Sequence, residues 1–299
     1  DIGIPFEAEY FVNYGDFLRM NARDLDSHKG NNGRLLIVGG SKDYSGAPAI
    51  AGMAAIGAGA DLVYVMAPES AAKAIKSTSP DLIVKSLEGD ELSLEHSQQI
   101  IELSEDVDAV LIGPGAGISD NTLKLFNVLV SKIKKPIVLD ADALKQVEMT
   151  LIKNRQDIIL TPHIFEFKSF FKVNNDLKLD IDSYDFKKVD ENITQFQQIS
   201  RQIKGSVIVK GKYDLILSGT KFKINKSGNP GMTVGGTGDA LSGIATALFA
   251  QGLNAFDSAC LAVFINGLAG DMAFDEKGNG FSASDLVSFI GNVIKNGLC

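Results

Sequence analysis

The sequence predicts an α/β fold of three layers, with a mainly parallel central sheet and an antiparallel edge. Three observations predict it. Short apolar runs alternate with helix-like segments over most of the 299 residues, and this alternation builds α/β domains. Several runs are continuously apolar, as in Val110-Leu111-Ile112 and Ile137-Val138-Leu139, which is how strands covered on both faces read. After residue 205 the runs become short and closely spaced, with glycine-containing turns, as in a meander at a sheet edge.

Taken in order, strands are expected at 34–38, 62–66, 82–85, 109–112, 137–139, 158–161 and 207–209. The edge adds 215–217 and 222–224. A helix over 121–131 carries Leu125, Val128 and Leu129 on one face. His96 falls in a polar helical stretch and is expected on the surface. Residues 174–191 are polar, acidic and irregular, and read as a surface insertion. Three helices close the chain, at 237–250, 255–274 and 283–295. One domain is expected over 26–299, preceded by an N-terminal arm over 1–25.

Composition excludes several classes. There are 29 basic and 37 acidic residues, a net charge of −8, so the chain lacks the broad positive field that nucleic-acid binding needs. The two cysteines, Cys260 and Cys299, exclude a disulfide scaffold and fit a reducing cytosol. The most apolar stretch, 240–256, is interrupted by Gln251, Gly252 and Asn254. It falls short of the about 20 apolar residues a membrane span requires. A cytoplasmic protein without a membrane segment is expected.

In folds of this class ligands bind where loops leave the carboxyl ends of the strands. Five expected strands run straight into Gly, Pro, Asp or Lys clusters: Gly39-Gly40-Ser41, Gly113-Pro114-Gly115, Asp140-Ala141-Asp142, Thr161-Pro162-His163 and Lys210-Gly211. Together they predict one continuous cleft. The densest signal is the run from Asn229 to Asp239, with Gly235, Gly236, Thr237 and Gly238 just before a helical pattern. Glycines admit close backbone approach, and a helix start offers free N–H groups and a positive dipole end to an anion. Asp239 falls inside the first turn, where its carboxylate can take a proton from an alcohol beside that anion site. The run lacks the Lys-Ser/Thr of a phosphate-binding P-loop. Gly39-Gly40-Ser41 lacks the third glycine of a dinucleotide fingerprint. Asp140 and Asp142 either hold Mg²⁺ through water or form a plain turn. His163 is read equally as a ligand contact or a structural residue, and Glu166 as a cap or a cleft residue.

These motifs, with His28-Lys29-Gly30, Gly33 and Tyr44-Ser45-Gly46-Ala47-Pro48, resemble the NAD(P)H-hydrate dehydratase family, which has the ribokinase-like fold. The resemblance runs in order over residues 25–299. It implies an ADP- or ATP-dependent lyase that acts with Mg²⁺ on the S form of hydrated NADH or NADPH. The family phosphorylates the 6-hydroxyl group and eliminates phosphate. By the same resemblance Asp239 is the catalytic residue and contacts the hydrate, as do Ala47, Gly115 and His163. Gly235, Gly236, Thr237 and Gly238 form the anion hole, and Lys210, Gly211, Lys212, Tyr213 and Asp214 occupy the nucleotide segment together with Gly238. A homo-oligomer is implied. The opening Asp1-Ile2-Gly3-Ile4-Pro5 resembles the end of an epimerase half, so a fused or paired NAD(P)H-hydrate epimerase is expected. Two segments depart from the family pattern. Ile164-Phe165 stands where Pro-Gly is common, and Lys212-Tyr213-Asp214 where Ala-Gly-Thr is common.

Two other readings share parts of this pattern. A vitamin-precursor or sugar kinase of the same fold would carry the same base and anion hole, but would leave a stable phosphorylated product. A silent nucleotide-binding module would bind without turnover and has no evident use for Asp239.

Overall fold

A computed structural model describes residues 10–20, 23–173, 177–178 and 186–298. The opening pentapeptide, Cys299 and most of the 174–191 segment lie outside the described residues. Nine strands are present among them: β1 (Arg34–Val38), β2 (Leu62–Pro68), β3 (Ile83–Leu87), β4 (Ala109–Ile112), β5 (Ile137–Leu139), β6 (Ile158–Leu160), β7 (Ser206–Val209), β8 (Asp214–Ser218) and β9 (Lys221–Asn225). They form one sheet in the order β3-β2-β1-β4-β5-β6-β7-β8-β9. Pairing is parallel from β3 through β7 and antiparallel for β7-β8-β9. The three edge strands are joined by turns too short for the crossover that a parallel pair requires.

Helices cover both faces. Alternate strand residues explain the continuous apolar runs. Leu35, Ile37, Leu111, Val138 and Ile159 face a layer built from α1 (Gly46–Gly57), α2 (Glu69–Thr78), α9 (Thr237–Ala250), α10 (Ala255–Lys277) and α11 (Ala283–Gly297). Leu36, Val38, Val110, Ile112, Leu139 and Leu160 face the other layer. That layer draws on α3 (Ser97–Glu105), α4 (Asp120–Lys132), α5 (Asp142–Gln146), α6 (Met149–Ile152), α7 (Ile164–Phe171) and α8 (Phe186–Ser200). Each expected strand is present; β1, β4 and β5 have the expected bounds, and the others differ by one or two residues at an end. The expected irregular stretch is shorter than read, because α8 begins at Phe186. His96 is buried, contrary to expectation: its ring accepts the Ser93 N–H at 3.0 Å and lies 3.0 Å from the Glu88 carbonyl oxygen. Two backbone partners within eight residues hold it inside a polar-looking segment. No helix among the described residues is long and apolar enough to cross a membrane.

The strand order reverses between β1 and β4, the point at which crevices open in such sheets. The loops that follow these strands meet there, with the Gly40 N–H donating to the Pro114 carbonyl at 2.8 Å. Gly113 begins the second loop at φ +122°, and a Cβ on it would sit 2.0 Å from the Asp140 carbonyl oxygen. Gly113→Ala is therefore expected to destabilise the fold by about 3 kcal/mol or more. An unchanged urea midpoint would show that the loop can yield.

Candidate active site at the carboxyl edge of the sheet

The loop leading into α9 is anchored before the helix begins. The Gly228 N–H and the Asn229 amide donate to the two oxygens of Asp271 in α10, at 3.0 and 2.9 Å. The Thr237 hydroxyl donates back to the Met232 carbonyl at 2.8 Å. Gly236 takes φ +100°, and a Cβ there would lie 2.8 Å from both Ala283 Cβ and Ile50 Cδ1, so this N-cap must be glycine. It brings no capping side chain. The first-turn N–H groups are left to an external acceptor, aided by the positive end of the helix dipole.

Charge converges on this helix start. Lys210 leaves β7, its N–H donating to the Pro162 carbonyl at 2.8 Å. Its ammonium reaches Asp140 Oδ1 at 3.1 Å and lies beside Gly238, 3.4 Å from where a Cβ would stand. Asp140 is buried, and its Oδ1 also accepts the Thr161 hydroxyl at 2.6 Å. Between the two aspartates Ala141 adopts φ +49°, ψ −118°. Such backbone strain costs on the order of 1–3 kcal/mol and sends the neighbouring carboxylates to different partners. Asp142 accepts the Gly117 N–H at 2.9 Å and pairs with Lys145 at 3.0 Å.

These surroundings tune Asp239. Burial pushes its carboxyl up to about 7, with Asp140 and Asp142 adding repulsion and Lys210 opposing it. A carboxylate poised near neutrality suits proton transfer. Lys210 is itself held above its ordinary value: burial would lower it, but Asp140, Glu166 and Asp239 outweigh that cost. It stays a cation.

The other expected residues fall into two groups, one at Gly115 and one around Lys210. Ala47, in the first turn of α1, adjoins Gly115, with its Cβ 3.2 Å from where a Gly115 Cβ would stand. His163 forms a backbone bridge to Lys210 and is the N-cap of α7. Its Nδ1 accepts the Phe165 and Glu166 N–H groups at 3.1 and 3.3 Å, which assigns the proton to Nε2. Glu166 is a cap, accepting the His163 N–H at 3.0 Å. Lys210, Gly211, Lys212, Tyr213 and Asp214 all line a cavity of about 620 Å³ that ends at Thr237 and Gly238. The Asp214 carboxylate is engaged inside this wall with the Asn225 amide at 3.1 Å and the Gly211 N–H at 3.3 Å, and burial raises it to about 6. Gly235 and Gly236 stand at the helix entrance, outside the cavity lining.

Sequence reasoning missed the far wall. Val263, Asn266 and Gly267 of α10 line the same cavity, as do Lys226 and Ser227. Asn266 is buried, and its Oδ1 has no hydrogen-bond partner. Within an apolar helical run a single Asn carries no local signal. Only its place beside Thr237, whose carbonyl accepts its amide at 3.4 Å, reveals it.

Comparison with known proteins decides the family. The family model described as NAD(P)H-hydrate dehydratase matches residues 35–292. The chain belongs to the NAD(P)H-hydrate dehydratase family. It is 50% identical, over 99% of its length, to the bifunctional NAD(P)H-hydrate repair enzyme Nnr of Methanothermobacter thermautotrophicus, of which it spans 56%. The ADP-dependent (S)-NAD(P)H-hydrate dehydratase of Cenarchaeum symbiosum is 34% identical, with 92% of each chain covered. Among solved structures, a ribokinase-like superfamily protein from Enterococcus faecalis matches with a TM-score of 0.82 at 21% identity, covering 99% of each chain. The ADP/ATP-dependent NAD(P)H-hydrate dehydratase of Bacillus subtilis, co-crystallized with ATP/Mg²⁺, matches at 0.73 and 21%, covering 99% of this chain and 100% of that one. The fold is thus ribokinase-like. The chain spans about half the length of several curated relatives it matches.

Two places where this member of the dehydratase family departs from the common pattern are now located. Phe165 is 72% exposed beside the His163 ring, at a centroid distance of 5.9 Å. Lys212 and Tyr213 sit on the cavity wall, with the ammonium 5.0 Å from the ring centroid.

Proposed function

We propose that the chain catalyses nucleotide-dependent dehydration of the S form of hydrated NADH or NADPH, with ADP or ATP as phosphoryl donor. The observation that carries this reading is Asp239, raised to about 7 by burial and set in the first turn of an uncapped helix beside Lys210. Asp239 takes the proton of the 6-hydroxyl as its oxygen attacks the terminal phosphorus. The α9 N–H groups and Lys210 hold the charge of the transferring phosphoryl group. The bond to the nucleotide breaks, leaving AMP from ADP. Phosphate then departs with the electrons of its bond to C6, a far better leaving group than hydroxide. Loss of a proton from C5 restores the ring double bond.

Among the described residues no group of three or more His, Cys, Asp or Glu side chains is placed to hold a metal ion. Asp140 is already committed to Thr161 and Lys210. The donor set suits a Mg²⁺ ion carried on nucleotide phosphates and water, with Asp140 and Asp142 acting through water. When bound, the ion neutralises phosphate charge.

The test is spectrophotometric. The protein is mixed with Mg²⁺, S-NADH hydrate and either ADP or ATP, and dihydronicotinamide absorbance and phosphate release are followed together. Nucleotide-dependent recovery of both signals is expected. A stable phosphorylated product without phosphate release would instead identify a kinase of this fold. The length of the relatives supports a further proposal, that an NAD(P)H-hydrate epimerase is fused to or paired with this chain.

A further inference from the structure

The segment ahead of the first strand packs against β9, the strand that leads into the wall of the proposed nucleotide cavity. Phe11 lies outside the family-matched residues 35–292, yet it forms a parallel bridge to Ile224 in β9. The Val12 N–H donates to the Ile224 carbonyl at 2.9 Å. On either side of this bridge the segment is fixed. Tyr10 stacks on Phe222 with ring centroids 4.8 Å apart. Asp16 pairs with Lys223, and Phe17 is buried. The segment therefore meets the sheet through a single bridge beyond β9, against the strand whose end enters the cavity wall.

Lys226 is the first residue past β9 and lines that wall. Its ammonium lies 4.1 Å from the Phe11 ring centroid and 5.6 Å from that of Tyr213. Both distances are within cation–π range. An exposed lysine without such contacts samples many rotamers, and ordering it costs conformational entropy on binding. Here two aromatic faces restrict it before any ligand arrives.

We infer that Phe11 is a positioning residue for the nucleotide site: its ring holds the Lys226 ammonium at the cavity wall to meet the phosphate chain of an adenine nucleotide. The inference rests on the nucleotide reading above and extends it to a residue outside the matched domain. Phe11 touches no reacting atom and acts through Lys226. Its removal therefore weakens nucleotide binding and leaves the chemical step alone.

Calorimetric titration with ADP and with adenosine tests this on the full chain. Phe11→Leu is expected to weaken ADP binding about two- to fivefold, the range that a cation–π contact at an exposed site supports. Adenosine affinity should stay unchanged. Lys226→Ala should weaken ADP binding at least as much, and Phe11→Leu should add nothing in the Lys226→Ala background. Phe11→Tyr, which keeps the ring, should restore wild-type affinity. In turnover, KM for the nucleotide should rise in Phe11→Leu while kcat holds. ADP affinity unchanged in Phe11→Leu, even with a lowered Tm, overturns the inference and leaves a merely structural contact. Multiplying losses in the double variant, or an equal loss for adenosine, overturn it too. Failure of the wild-type chain to bind ADP at all is a different result, and it removes the nucleotide reading itself.

Discussion

Asp239→Asn is expected to lower kcat by at least about 100-fold, the lower end of what a positioned general base contributes, while ADP still binds. Wild-type kcat/KM should rise with pH through about 7, where Asp239 loses its proton, and the variant should lack that limb. The same carboxyl makes a stability statement of opposite sign. Its folded value of about 7 lies above the model-peptide value of 3.8, so between those limits the folded state binds the extra proton. Stability from this group is present at low pH and lost as pH rises toward 7. Asn cannot ionise, so the inactive variant should melt higher than wild type at pH 8 by about 2–4 °C for each kcal/mol relieved, and no higher near pH 4. Such an exchange of stability for activity is common at sites that hold a destabilised charge. Wild-type turnover in the variant would remove Asp239 from the mechanism.

Lys210→Met should be the most damaging single change at the site. It leaves Asp140 buried with its Thr161 hydrogen bond but no counter-charge. Breaking one partner of a buried ion pair costs about 3–5 kcal/mol, or roughly 10 °C in Tm for a chain of this size. Lys210 is also the cation that opposes the upward shift of Asp239, so residual activity should titrate above the wild-type value. Adding Asp140→Asn should recover much of the lost stability, because it removes the orphaned charge, without recovering turnover. A Lys210→Met protein that melts with wild type would show that water reaches Asp140 and that the pair is not buried in solution.

The central parallel strands β4, β5, β6 and β7 could be read from the sequence because both faces of each are covered, whereas the edge strand β3 is largely exposed. Val110-Leu111-Ile112 alternates between the two cores, which leaves no polar position to blur the pattern. The start of α9 was legible for a related reason. Closely spaced glycines before a helical periodicity are a local, backbone-driven signal, and Gly236 proves to be one that a Cβ would obstruct on two sides. Asp239 could be placed in the first turn by counting. His96 could not be placed, since its burial depends on the Glu88 carbonyl that a turn brings back to it.

The sequence by itself determined the order of elements and placed Asp239 in the first turn of a helix entered through closely spaced glycines. Those follow from periodicity and from residues adjacent in the chain. Tertiary structure alone decided the electrostatics and the far wall of the cavity. Asp140, Lys210 and Asp239 come from three separate segments, and their mutual charge is a function of distance and burial, which no spacing in the sequence encodes. Asn266 lines the cavity, and Phe11 meets the cavity-lining Lys226, only because α10 packs beside the start of α9 and the segment ahead of β1 folds back against β9.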